Sequence, residues 1–165
     1  MREIKPEELQ KNPFQMIGKE WLLVTAEQEG KVNTMTASWG GVGIMWNKPV
    51  VYIFLRPQRY TKELVDRADT FSLSVLGEEY RETLRYFGSV SGRDEDKIAK
   101  SGLKISHEGA TPYFKAAHTV LLCRKLYAQS YDPACFIDQS LDEKNYPNKD
   151  YHMMYIAEIE KVLTD

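Results

Sequence analysis

The sequence predicts a mainly β domain: an antiparallel, Greek-key-like barrel with helices inserted between its strands. Three observations lead there. Six segments carry strand patterning, the helical segments are inserted rather than alternating with them one for one, and no GxGxxG or P-loop pattern supports a parallel βαβ sheet. At 165 residues, with 42% hydrophobic and 28% charged side chains, the chain fits a single domain over 1–165 with a real core.

The first strand is the apolar run Trp21–Thr25. Glu27-Gln28-Glu29-Gly30 reads as a hairpin loop whose glycine supplies positive φ. Val32–Trp39 is the returning strand, and Gly40, Gly41 and Gly43 break it. Pro49–Arg56 is almost continuously apolar, so it is expected to be covered on both faces. A short helix follows over Tyr60–Ala68, with Leu64, Val65 and Ala68 on one face and Thr61 as N-cap. Thr70–Leu76 alternates Phe71, Leu73 and Val75 with Ser72 and Ser74, the pattern of a half-buried strand. Glu79–Phe87 and Asp94–Lys100 are helical, the second capped by Asp94 and closed by Ser101-Gly102. Thr119–Tyr127 and Tyr151–Val162 are two long strands, and the polar, proline-containing Asp132–Asp150 between them is a loop or flap.

Composition narrows the function. The formal charge is −2, from 22 basic and 24 acidic residues, so no field draws in a polyanion and nucleic-acid binding is not expected. The N-terminal MREIKPEELQ is charged and unlike a secretory signal, and the apolar runs are strand-sized, so no membrane association is expected. Cys123 and Cys135 lack CxxC spacing and read as free thiols of a cytoplasmic protein. His107, His118 and His152 have no metal-ligand spacing, and no metal site is expected.

Three constellations carry chemistry. Asn33–Gly41 is a strand end dense in small hydroxyl residues that runs into glycines. It is either a barrel corner or a surface offering backbone groups to a planar heterocycle. Arg56-Pro57-Gln58-Arg59-Tyr60-Thr61 joins a strand to a helix N-terminus, where unsatisfied N–H groups and two guanidinium groups make a monophosphate site, or simply a basic surface. Ser89-Val90-Ser91-Gly92-Arg93-Asp94-Glu95-Asp96-Lys97 is a solvated charged loop, or one in which Ser91-Gly92-Arg93 folds as an anion-binding turn. No hydrolytic triad or carboxylate dyad stands out, so no catalytic side chain is assigned.

In this order, these segments resemble the flavin reductase-like family, which includes flavoredoxin and folds as an FMN-binding split β-barrel. The resemblance runs from Trp21 to about Val162 and includes His118–Cys123 and His152–Val162 as the last two strands. It implies that Met35, Thr36, Ala37 and Ser38 line the flavin ring, largely through backbone groups, and that Asn33 and Trp39 also bind the cofactor. It gives the phosphate and ribityl chain to Arg56, Arg59, Tyr60 and Thr61, and has Ser91, Gly92 and Lys97 close over the cofactor. His152 falls near the ring or a subunit boundary, and Lys97 or backbone N–H groups aimed at the N1/C2 edge favour the reduced ring. The implied activity is hydride transfer from NADH or NADPH to FMN, with the flavin carrying the chemistry. The alternatives are a flavoredoxin-like electron-transfer protein that meets a redox partner protein but no nicotinamide, and a non-redox ligand-binding barrel. Family members are usually homodimers with the flavin near the interface; Trp46, Tyr113 and Phe114 are candidate interface aromatics, or core. Two departures stand out: Tyr151 separates Asp150 from His152, where the family often has an acidic residue directly before the late histidine, and 132–150 has no family pattern. The reading requires Thr36 and Arg59 to share one cleft.

Overall fold

The computed structural model describes all 165 residues. Ten strands form: β1 (Arg2–Ile4), β2 (Leu22–Gln28), β3 (Lys31–Ala37), β4 (Gly40–Met45), β5 (Lys48–Leu55), β6 (Thr70–Val75), β7 (Ile105–Glu108), β8 (Thr111–Phe114), β9 (Thr119–Ser130) and β10 (Met153–Thr164). The helices are α1 (Pro13–Gln15), α2 (Tyr60–Arg67), α3 (Arg81–Ser89), α4 (Lys97–Ser101) and α5 (Gln139–Asn145). No helix is long and apolar enough to cross a membrane.

Seven strands line up as β3-β2-β6-β9-β10-β5-β4, every neighbouring pair antiparallel. β1 adds to β10 beyond the stretch that pairs with β5, and β7 and β8 form a separate hairpin. The two ends of this order, β3 and β4, are consecutive in the chain and joined only by Ser38 and Trp39. A sheet whose opposite edges are two residues apart must curl to bring those edges toward each other. Only the end of β3 and the start of β4 are brought together, and the two strands do not pair, so the barrel is split there rather than closed. Two register shifts in the β9–β10 ladder, at Ile156/Ala157 and Ile159/Lys161, increase the local bend.

The interior of the curl holds the larger core, including Val24, Met35, Val51, Ile53, Leu55, Phe71, Leu73, Leu121 and Tyr155. α2 joins it through Leu64 and Val65, the apolar face its spacing predicts. A second cluster lies under α3, where Leu84 and Phe87 pack with Leu23, Leu76, Phe114, Val120 and Leu122.

Several sequence expectations change. Strand β3 stops at Ala37, two residues short of Trp39, and the glycines after it do not end the sheet: Gly40–Met45 is a strand of its own. Its glycine content hid it. At Gly40 a Cβ would lie 2.7 Å from the Tyr52 carbonyl oxygen, so only glycine lets β4 approach β5 there. Thr61 does not cap α2. Arg59 holds the N-cap position without a side-chain bond, and Thr61 lies one residue inside the helix. Asp96, not Asp94, caps α4, its carboxylate accepting from the Ala99 N–H. The 132–150 segment is not all loop, since it carries α5. Phe114 is fully buried, which removes it from the interface candidates, whereas Trp46 is exposed at the β4–β5 turn. The hairpin at Glu29-Gly30 forms as expected, with φ of 51° and 76°. Both cysteines are free thiols, Cys123 buried and Cys135 exposed.

Candidate functional site

The seam between β3 and β4 opens onto a cleft of about 210 Å³ lined by Met35–Trp39 on one side and Phe54, Arg56, Arg59 and His152 on the other. Thr36 and Arg59 therefore share one cleft. A second pocket of about 120 Å³ continues from it, the two having Met35 and Arg59 in common. Asn33, Tyr60, Thr61, Ser91, Gly92 and Lys97 line this second pocket. Every residue that the resemblance gives to the cofactor thus lines one of these two adjoining pockets, whereas Arg93 and Asp96 of the third run line neither. Gln58, Ser89 and Val90, which belong to the same runs but were given no role, line them as well, and so does Phe54, which was missed. Phe54 had a signal, being a large aromatic at the end of a strand whose neighbours Ile53 and Leu55 point into the core.

The inner pocket is held together by short side chains. Asn33, itself buried, donates from Nδ2 to Thr61 Oγ1 at 3.0 Å and so ties β3 to α2. Thr36 Oγ1 donates to the Leu84 carbonyl at 2.6 Å, tying β3 to α3. Gly92 lies so close to Asn33 that a Cβ there would reach 2.2 Å from Asn33 Oδ1. No side chain caps α2, and the N–H groups of Tyr60 and Thr61 find no acceptor within the protein, so the positive end of the helix faces the pocket.

Two cations complete it. Arg59 Nη1 donates to the Gly88 carbonyl at 2.8 Å; Lys97 Nζ donates to the carbonyls of Phe87 and Val90, each at 2.8 Å. Neither forms a salt bridge with a carboxylate. Lys97 is 2% exposed. Burial, and then the neighbouring Arg59 charge, pull its ammonium down to about 8; burial also lowers Arg59. Lys97 thus sits at the Arg59 end of the groove, not among the residues that line the outer cleft.

The outer cleft is backed by the 132–150 segment. Arg56 lines the cleft, but its guanidinium bonds that segment: Nη1 donates to Asp150 Oδ2 at 2.7 Å, Nη2 to the Asn145 carbonyl at 2.9 Å, and its plane lies 4.9 Å from the Tyr146 ring centroid. Gln58 also donates to Asp150 Oδ2; that bond, with those of Arg56, holds the Asp150 carboxyl below its usual range. Behind the cleft, Tyr131, Phe136, Tyr146, Tyr151 and His152 pack as an aromatic cluster, and Trp39 meets His152 at a centroid distance of 5.4 Å. His152 is buried, and its imidazole is pulled down to about 4 by that burial and by the Arg56 charge. It is neutral at pH 7.

A split antiparallel barrel of this kind is the fold of flavin reductase-like FMN-binding proteins. The chain belongs to that family: the flavin reductase like domain matches residues 16–165. Solved structures share the fold. A flavoredoxin of Desulfovibrio vulgaris superposes with a TM-score of 0.68 at 21% identity, covering 100% of this chain and 77% of that one. An FMN-binding protein from Thermus thermophilus gives 0.70 at 19%, covering 100% and 82%. An NADH:FAD oxidoreductase of Streptomyces globisporus gives 0.65 at 17%, covering 88% and 75%. In sequence, the high molecular weight rubredoxin of Moorella thermoacetica is 31% identical over 111 residues, covering 67% of this chain and 47% of that protein. The chain matches less than half the length of its curated relatives.

Proposed function

We propose that the groove binds FMN and that the protein is an NAD(P)H-dependent flavin reductase. The inner pocket suits the phosphate, and the outer cleft suits the ring. The observation that carries the reading is the pair Arg59 and Lys97, one half-buried and one buried cation that have carbonyl partners but no carboxylate. Burying charge without a counterion is costly, and an anion supplied by a ligand offsets that cost. A phosphate there also accepts from the free N–H groups of the first turn of α2. Ser91 and Gly92 lie at the same pocket, and the close fit of Gly92 on Asn33 keeps its loop against β3.

In the outer cleft, Thr36, Ala37 and Ser38 have small side chains, so a planar ring can approach the β3 backbone closely. The bound flavin supplies a hydride acceptor; the chain's own work is to hold the phosphate, exclude water with Trp39 and Phe54, and present a neutral His152. Hydride transfer requires no side-chain acid or base, which fits a cleft without a triad.

The likeness to an NADH:FAD oxidoreductase supports nicotinamide as donor. The likeness to a flavoredoxin, and to a high molecular weight rubredoxin, supports the second reading, an electron carrier reduced by another protein. A visible spectrum of the FMN-loaded protein before and after anaerobic NADH or NADPH separates them. Bleaching supports the reductase, and an unchanged spectrum supports the carrier. A protein that takes up no FMN at all supports a non-redox binding barrel.

The same reading includes a homodimer in the cytoplasm. Ile44 and Trp46, 66% and 55% exposed, lie on the unpaired β4 edge and its turn, and Trp39 at 52% is exposed at the other end of that strand, at the mouth of the cleft. An apolar sheet edge of this kind is covered by a second copy. Sedimentation of a Trp46→Glu variant as a monomer, against a dimeric parent, supports that; a monomeric parent overturns it. The two free thiols suit a reducing compartment.

A further inference from the structure

His152 and Tyr146 make a contact that the binding of a phosphorylated flavin does not call for. Tyr146 Oη lies 2.6 Å from His152 Nδ1, and both residues are buried, with exposures of 4% and 7%. Tyr146 comes from the end of α5, in the 132–150 segment, and its ring is held by the Arg56 guanidinium stacked 4.9 Å away.

The direction of the Tyr146–His152 bond follows from acidity. A phenol O–H is a far stronger acid than the N–H of a neutral imidazole, so the hydroxyl donates and Nδ1 accepts. The imidazole proton then resides on Nε2. Nε2 has no partner in the protein. The fully buried side-chain polar atoms without a partner are Tyr86 Oη and Asp150 Oδ1, so Nε2 is not sealed in; it opens to the cleft that His152 lines beside Trp39. An aspartate in the position of Tyr146 would have favoured an imidazolium. A phenol favours a neutral ring with one fixed proton.

We propose that Tyr146 is a positioning residue that locks His152 as the Nε2–H tautomer, so that the cleft offers one neutral hydrogen-bond donor to a carbonyl oxygen on a planar ring. The proposal rests on the cleft being the ring site described above. It assigns the 132–150 segment a role that reaches the ligand only through His152. A carbonyl oxygen of this kind comes from a flavin ring or from a nicotinamide carboxamide, and a ligand presenting only N–H or cationic groups at that point is disfavoured.

Long-range proton–nitrogen NMR of uniformly 15N-labelled protein at pH 7 reads the tautomer directly and needs no cofactor. The expected result is a protonated Nε2 and an unprotonated Nδ1. A proton on Nδ1, or on both nitrogens, overturns the proposal. Tyr146→Phe keeps the ring that stacks on Arg56 and should give a mixture of tautomers while the thermal unfolding curve stays cooperative; an unchanged tautomer overturns the role of Tyr146.

Two probes then separate the ligand sources. Riboflavin, which has the ring without the phosphate, is titrated into the cofactor-free protein, and nicotinamide into the FMN-loaded protein. A shift of the His152 Nε2 signal with riboflavin assigns the carbonyl to the flavin, and a shift with nicotinamide alone assigns it to the donor. Tyr146→Phe should weaken the probe that shifts it by about three- to tenfold, the worth of one hydrogen bond. A His152 signal that neither probe moves overturns the ligand half. If FMN binds all the same, the flavin reading survives that failure.

Discussion

Arg59, half-buried, and Lys97, buried, line one pocket with no carboxylate between them, each hydrogen-bonded only to backbone carbonyls. Two like charges so placed destabilise the protein until a ligand anion joins them. Lys97→Met should remove that cost. Above its ordinary value the lysine is neutral in both states; from there down to about 8 the unfolded chain binds a proton that the folded chain does not. Below about 8 the whole penalty is present, so the substitution should raise stability at pH 7 by about 1 to 3 kcal/mol. FMN affinity should fall at the same time, by tenfold or more. Denaturant midpoints and flavin fluorescence quenching check the two halves, and a destabilised variant would contradict the first.

The two arginines should behave differently. Arg59→Ala removes a cation from the inner pocket and should weaken FMN by about 1.5 to 3 kcal/mol. Arg56→Ala leaves that pocket intact but leaves Asp150 to Gln58 alone and frees Asn145 and Tyr146. Its expected signature is faster hydrogen exchange across 132–150, with a smaller loss of FMN affinity. Equal losses from the two variants would put both guanidinium groups on the phosphate.

His152 gives the fold a pH dependence. Its folded value, about 4, lies below the ordinary histidine value because of burial and the Arg56 charge. As pH falls through about 6.5 the unfolded chain takes up a proton that the folded chain refuses, so stability falls with pH and is fully retained only above that range. Between pH 7 and pH 5 the loss should be about 2 kcal/mol, most of it absent in His152→Gln. The carboxyl groups lowered in the folded state, Asp150 and Glu158 among them, lose their contribution at more acid pH, below the ordinary carboxylate range.

Gly40→Ala should be costly despite the exposure of the position. Its Cβ would meet the Tyr52 carbonyl, so β4 must shift from β5, and Trp39 at the cleft mouth shifts with it. A loss of about 1 to 3 kcal/mol is expected, measured by thermal or denaturant unfolding.

Why the site was legible while part of the fold was not has a physical basis. Asn33–Trp39 and Arg56–Thr61 are contiguous runs whose residue types state their chemistry, and the curl of the sheet brings such runs together wherever their strands end on the same seam. β4 was illegible because Gly40, Gly41 and Gly43 are punctuation in sequence but a steric requirement at Tyr52. β1 and the β7–β8 hairpin are three and four residues long, too short for alternation to register. The attachment of Arg56 to Asp150 and Asn145, about ninety residues along the chain, has no local signal at all. Neither has the Tyr146–His152 pair, since a single polar contact leaves no periodicity to read.

The most direct test compares FMN with riboflavin, which differ only in the phosphate, by fluorescence titration of the cofactor-free protein at pH 7. The Arg59–Lys97 pocket predicts that FMN binds at least about thirtyfold more tightly, with most of that advantage lost in Arg59→Ala. Equal affinities for the two, in the parent protein, would contradict a phosphate site there.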